Sequence, residues 1–72
     1  MIKLNLGCGW RNFGEEWTHI DGGDYPHVKS HDITSLLDYE DDSVDLIYVS
    51  HVFEYFDREE GLDVLKEWYR VL

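Results

Sequence analysis

The sequence is short of cysteine, proline and positive charge. Its 72 residues include one cysteine, one proline and six lysine or arginine residues, against 16 aspartate or glutamate residues. A single cysteine cannot form an internal disulfide, which agrees with a reducing, cytoplasmic environment. The net charge of −10 would repel the phosphate backbone of DNA or RNA, so we expect no nucleic-acid partner. A neutral or cationic small molecule is the better expectation.

The chain also lacks a long apolar run and a metal-binding motif. No stretch approaches the ~20 residues of a membrane span, and the N-terminus opens on a predicted strand rather than on a signal peptide. We therefore expect no membrane partner. Of the four histidines, His27 and His31 lie on extended or turn-like chain, and neither Cys-x-x-Cys nor His-Glu-x-x-His spacing occurs. We expect no metal site.

The sequence does contain a short apolar strand that runs into a glycine turn. Residues 3–6 are followed by Gly7, Cys8 and Gly9, and glycine lets a ligand approach the backbone because no Cβ is in the way. The dinucleotide fingerprint G-x-G-x-x-G needs a glycine at position 12, which is Asn12 here. Taken alone, this glycine turn is compatible with a nucleoside-carrying ligand and with a tight turn that binds nothing.

Two acids follow the next predicted strands. Asp21 closes a strand over residues 18–20, and Asp32 follows a shorter strand over residues 28–30. Because the carboxyl ends of parallel strands meet at one edge of a sheet, both acids would lie there with the glycine turn. Each acid also has a structural interpretation. Asp21 can form a turn before the glycine pair after it, and Asp32 can act as a cap ahead of Thr34.

The second half of the chain predicts one strand and one helix. Residues 44–49 form an almost unbroken apolar run, which is typical of a strand covered on both faces. Asp57 can cap the start of a final helix, which the acids after it favour. The apolar stripe of that helix is predicted at Leu62, Leu65, Tyr69 and Leu72, and is widened by Val64, Trp68 and Val71.

The connecting segments are predicted to be short and irregular. Residues 7–16 read as a loop or a short helical turn. Thr34 can cap a short helix through Leu36 and Leu37. The acidic residues 40–42 are most simply a solvated loop.

Three segments resemble class I S-adenosylmethionine-dependent methyltransferases. Residues 4–9 are similar to the first motif of that family, residues 43–56 to its fourth strand and the turn after it, and residues 67–72 to the end of the following helix. The segments occur in the family's order and spacing, across nearly the whole chain. Two positions depart from the pattern: Asn5 stands where an acid is usual, and Arg11 where a further glycine is common.

The resemblance implies an α/β fold, a partial Rossmann-like class I methyltransferase. It would contain strands 1–4 of a seven-stranded, mostly parallel sheet with flanking helices. Residues 1–72 would be the N-terminal, cofactor-binding part of a single methyltransferase domain whose C-terminal half is absent. The fourth strand is interior in the family's strand order, 3-2-1-4-5-7-6, but here it would lie at the sheet edge with unpaired backbone groups. We therefore expect a homo-oligomer, or a need for the missing half.

The resemblance also implies S-adenosylmethionine as the cofactor. The glycine turn would pass beside its methionine part, Asp21 would accept hydrogen bonds from the ribose hydroxyls, and Asp32 with Ile33 would face the adenine. Ser50 would lie near the methionine end. The full set of expected cofactor-binding residues is Gly7, Cys8, Gly9, Asp21, Asp32, Ile33, Ser50 and His51.

His51 is the weak catalytic candidate, because it would sit where the fourth strand ends. It could act as a general base or contact the substrate, or it could be a structural histidine bonded to the next helix. The implied reaction is direct methyl transfer, in which the protein mainly positions the reactants. The methyl acceptor stays unidentified. Two alternatives are a noncatalytic oligomeric remnant of the fold and a nicotinamide- or flavin-nucleotide half-domain, against which the missing third glycine counts.

Overall fold

The computed structural model describes residues 1–36 and 38–72. These residues form strands β1 to β4, a short 3-10 helix and the helix α1. Their bounds are Lys3–Leu6 for β1, Thr18–Ile20 for β2, Val28–Ser30 for β3, Leu46–Val49 for β4, Phe53–Tyr55 for the 3-10 helix and Arg58–Val71 for α1. The first three strands have the bounds that the sequence predicts, and β4 begins two residues later than predicted.

The strands form one sheet in the order β3-β2-β1-β4, and every pair is parallel. Leu6, the last residue of β1, lies opposite Ile20 of β2 and Val49 of β4. Parallel neighbours align their carboxyl ends, so the loops after β1, β2 and β4 leave the sheet at one edge. The partial Rossmann-like α/β fold is thus confirmed.

One face of the sheet packs against α1. Leu4, Leu6 and Ile20 are buried there in a single cluster with Val64 and Trp68 of the helix. The alternation of strand side chains places them on the same face. This cluster is the main apolar core, and it fixes the helix against the centre of the sheet.

The opposite face is covered by the loop between β1 and β2. Phe13 packs edge-on against Trp17 and Tyr48, with ring centroids 5.1 and 5.0 Å apart. The Phe13 backbone N–H donates to Nε2 of His19, which is buried. Residues 7–16 contain turns and no helix, as predicted. An aromatic loop therefore shields this face.

The N-terminus of α1 is capped as the sequence predicts, but the helix buries only one side of the predicted apolar stripe. The Asp57 carboxylate accepts a hydrogen bond from the backbone N–H of Glu60 at 2.8 Å. The widening residues of the predicted stripe, Val64, Trp68 and Val71, are buried together with Gly61, whereas its central residues are exposed: Leu62, Leu65, Tyr69 and Leu72. The apolar arc of the helix is wider than one sheet face covers, and packing against β1 selects the side that carries Trp68.

Arg70 ties the end of α1 to the chain before β4. Its guanidinium pairs with Asp41 at 2.7 Å and with Glu67 at 2.8 Å, and it donates to the carbonyls of Leu36 and Tyr39. Glu67 also accepts from the backbone N–H of Leu36 at 2.6 Å. The hydrogen bond from Arg70, followed by that from Leu36, holds the pKa of Glu67 below its usual value.

The short helix predicted after Thr34 is not formed by residues 33–36, which are bends and irregular chain. Leu37, the other residue of that prediction, lies outside the described residues. Thr34 is itself the donor in this turn, because its N–H and hydroxyl both bond to the Asp32 carboxylate. The aspartate side chain thus organises a turn where a helix was expected.

β4 lies at the sheet edge, where the resemblance predicts it for this length of chain. It pairs with β1 on one side, and no other strand of residues 1–36 and 38–72 pairs with it. Its edge and α1 border an apolar groove of about 400 Å³. We call this the β4–α1 surface, and it consists of Ile47, Val49, Leu65, Tyr69 and Leu72. Within the described ranges, no helix has the length and apolarity needed to span a membrane.

We propose that two copies of the chain associate through the β4–α1 surface. Tyr69 is 80% exposed and Leu65 is 45% exposed, and burial of apolar area gains roughly 25 cal/mol per Å². The net charge of −10 opposes association, but salt screens surface charge over about 8–10 Å.

Sedimentation equilibrium at micromolar concentration should show dimers. Leu65→Glu should shift the protein to monomer, whereas Lys66→Gln, which changes the net charge by the same one unit, should not. A wild-type monomer that unfolds cooperatively would contradict the proposal.

Candidate functional site

A cleft of about 630 Å³ opens at the carboxyl edge of the sheet, within the size range of small-molecule sites. It lies between the glycine turn after β1 and the loops after β2 and β4. The structure brings most of the predicted site residues into its lining: Gly7, Cys8, Gly9, Asp21, Ile33, Ser50 and His51. Asp32 is the predicted residue that does not line it.

The two glycines of the glycine turn have different roles. Both have positive φ, +66° at Gly7 and +55° at Gly9, a region that strains other residues. A Cβ at Gly7 would overlap the Val52 side chain, so Gly7 is needed for close packing. A Cβ at Gly9 would meet no atom within 4 Å. The space in front of Gly9 is therefore open cleft that a ligand can enter.

Asp21 fastens the glycine turn to the loop after β2. Its Oδ2 accepts a hydrogen bond from the Gly9 N–H at 2.8 Å, and its Oδ1 accepts one from the Gly23 N–H at 2.8 Å. Asp21 is thus a turn-forming residue and a cleft residue together. A carboxylate has about four acceptor positions, so capacity for further donors in the cleft is left.

Asp32 and Ile33 are neighbours with different environments. Ile33 contributes an apolar wall to the cleft. The Asp32 Oδ1 instead accepts from the Thr34 hydroxyl at 2.5 Å and from the Thr34 N–H at 2.8 Å. Those two bonds, the side-chain bond first, lower the pKa of Asp32. Asp32 therefore has a structural role, but as the acceptor that organises the turn at Thr34 and not as a helix cap. Its contact with an adenine stays a prediction.

Ser50 and His51 follow β4 at the edge of the cleft. His51 has a φ of +56°, in a region that few residues other than glycine adopt and that is concentrated at functional sites. Its side chain is exposed. Among residues 1–36 and 38–72, His51 has no hydrogen-bond partner in the following helix, so the structural role weighed for it finds no support in this part of the chain.

Cys8 lies at the base of the cleft as a buried thiol. Burial raises its pKa, and the negative charge of Asp21 adds to that rise. Its Sγ is 3.7 Å from Nε2 of His27. The thiol is therefore protonated at neutral pH and serves as a packing group rather than as a nucleophile. The described residues contain no group of three or more His, Cys, Asp or Glu that could hold a metal ion.

Several cleft residues are not among those predicted from the sequence. Trp10 and Tyr55 line the cleft although they are 75% and 82% exposed, and Arg11 and Phe56 line it as well. Trp10 and Arg11 directly follow the glycine turn, and that adjacency was a usable signal. Nothing in the sequence pattern distinguishes Tyr55 from other exposed aromatic residues, because its position depends on the turn after β4.

Asp21→Ala should lower stability, because it removes the acceptor of two backbone N–H groups. The expected loss is about 1–3 kcal/mol in the free energy of unfolding, the scale for part-buried donors left unpaired. Urea denaturation followed by tryptophan fluorescence measures it. Asp24→Ala is the matched control, since the Asp24 side chain is 99% exposed, and it should change stability by less than about 0.5 kcal/mol. Equal stability of the two variants would show that the Asp21 bonds do not fasten the turn.

Comparison with family models gives a match to a methyltransferase domain over residues 11–72. The matched range includes Asp21, Ile33, Ser50 and His51, and it begins two residues after Gly9. The glycine turn is therefore supported by its own residues and geometry, independently of the match. Neither the curated proteins nor the solved structures include one that matches this chain.

Proposed function

The chain belongs to the class I S-adenosylmethionine-dependent methyltransferase family, and from this premise we propose that it binds S-adenosylmethionine and serves methyl transfer to an acceptor still to be identified. We propose further that residues 1–72 are the cofactor-binding half of the domain. The observation that carries the proposal is the single cleft shared by the glycine turn, Asp21, Ile33 and the loop at Ser50. These four parts come from separate segments of the chain, and the parallel sheet brings them to one edge.

The residues of the cleft fit the parts of this cofactor. The open space in front of Gly9 admits a ligand against the backbone. Asp21 has acceptor capacity for ribose hydroxyls beyond its two amide bonds. Ile33 offers an apolar surface against which the adenine ring could pack. When bound, S-adenosylmethionine would supply an electrophilic methyl group on its sulfonium.

The contribution of the protein would be to position the reactants and to exclude water. The glycine turn is fixed in place by the Gly7 N–H bond to the Ile20 carbonyl at 2.7 Å and by the Asp21 bond to Gly9. Trp10 and Tyr55 flank the cleft with large exposed rings. Rings in that position would cover a bound ligand and shield the reacting atoms from solvent.

We propose His51 as the residue that contacts the acceptor or takes its proton, because it stands in the cleft with a left-handed backbone. His51→Asn removes the imidazole but keeps the backbone conformation, since asparagine also tolerates the left-handed region. In the complete methyltransferase domain, assayed with its acceptor once identified, the variant should keep cofactor binding and lower the rate of methyl transfer by about 10²-fold or more, the scale for general acid–base groups. Unchanged methyl transfer would assign His51 to the turn alone.

The cofactor class is tested by calorimetric titration with S-adenosylhomocysteine and with NAD. We expect the chain to bind S-adenosylhomocysteine and to prefer it over NAD. Gly9→Val should abolish that binding, because a side chain would enter the cleft. Gly14→Val is the control: Gly14 also has a positive φ, +100°, and open space around its Cβ position, but it does not line the cleft. Both variants strain the backbone, and only Gly9→Val should block the ligand.

Three results would contradict the assignment. Tighter binding of NAD would favour the nicotinamide-nucleotide alternative. Binding that survives Gly9→Val would make the glycine turn purely structural. No binding of either ligand by a folded oligomer would favour the noncatalytic remnant.

A further inference from the structure

Arg11 is the one lysine or arginine among the described residues that line the cleft. The one acid of the lining is Asp21, whose two oxygens each already accept a backbone N–H. A ligand group that carries negative charge would therefore meet a single formal cation in this cleft. Elsewhere the chain is strongly acidic, with 16 acids against six bases.

The backbone of Arg11 is fixed relative to the glycine turn. Its N–H donates to the Cys8 carbonyl at 3.0 Å, and its carbonyl accepts from Nδ2 of Asn5 at 3.2 Å. Asn5 lies within β1 and is fully buried. With the backbone anchored, only the side chain and not the loop has to be ordered when a ligand binds.

The Arg11 guanidinium is available to a ligand. Lys3 pairs with Glu16, and Arg70 pairs with Asp41 and Glu67. Arg11 has no ion pair among residues 1–36 and 38–72. Arg11 lines the cleft beside Cys8, and its charge is the smallest of the influences on the pKa of that thiol, which it lowers.

We propose that Arg11 binds the carboxylate at the amino-acid end of the cofactor. This inference rests on the proposed function and adds to it the residue that recognises this end. A guanidinium offers paired N–H donors that match a carboxylate, and charge-assisted bonds of this kind are stronger than neutral ones. In a chain of net charge −10, a local cation would lessen the repulsion that a carboxylate meets.

The test compares two ligands that share the nucleoside and differ at the amino-acid end. S-adenosylhomocysteine carries the carboxylate, whereas 5′-methylthioadenosine lacks the amino-acid group. Arg11→Met keeps an unbranched side chain without its charge. Measured by calorimetry, Arg11→Met should weaken the affinity for S-adenosylhomocysteine roughly tenfold and leave the affinity for 5′-methylthioadenosine unchanged. Arg11→Lys should recover part of the loss, and thermal unfolding checks that the variants are folded.

Arg58→Met is the matched control, because Arg58 lies at the start of α1 outside the cleft, and it should change neither affinity. An equal loss of both ligands in Arg11→Met would show that Arg11 acts through the shape of the turn, and would overturn the inference. No loss of either ligand would overturn it too. If the wild-type chain binds neither adenosine ligand, the proposed function fails and the inference fails with it. That result differs from the two above, in which the wild type binds and only the response of Arg11→Met contradicts the inference.

Discussion

Parallel pairing of β1 on both of its sides is the constraint on which the cleft depends. Leu6 sits opposite Ile20 and Val49, so three strands end level with one another. The chain must then leave the sheet three times at the same edge, through the glycine turn, Asp21 and Ser50. A single hydrophobic cluster beneath the sheet, formed by β1, β2 and α1, holds this alignment. The polar contacts at the edge are consequences of it.

Local signals in the sequence were enough to predict the parts that local chemistry decides. The bounds of β1 to β3, the glycine turn and the Asp57 cap all follow from short runs of residue types. The buried stripe of α1 could not be read in the same way, because the helix is apolar over a broad arc. Only contact with β1 shows that Trp68, and not Tyr69, faces the core.

The residues of the candidate site also divide into those that local sequence predicts and those that it does not. Gly9 and Asp21 were predictable because each follows a strand that ends at the cleft, whereas Ile33 was predicted from the family resemblance. Asp32 has the same kind of position, yet its carboxylate is directed to Thr34. The sequence offers both a ligand contact and a structural role at Thr34, and it does not decide between them. Arg11 and Tyr55 line the cleft because of the paths of their loops. Periodic sequence patterns do not predict the path of an irregular loop.

The contact between Gly7 and Val52 has a consequence for the dimensions of the cleft. The Val52 side chain fills the space that a Cβ at Gly7 would take, so the wall after β4 rests directly on the wall after β1. Residue 52 therefore acts as a spacer between the two halves of the cleft. Its volume sets how far the segment at His51 stands from the glycine turn. The distance across the cleft thus depends on one buried aliphatic side chain, which is itself part of the cleft lining.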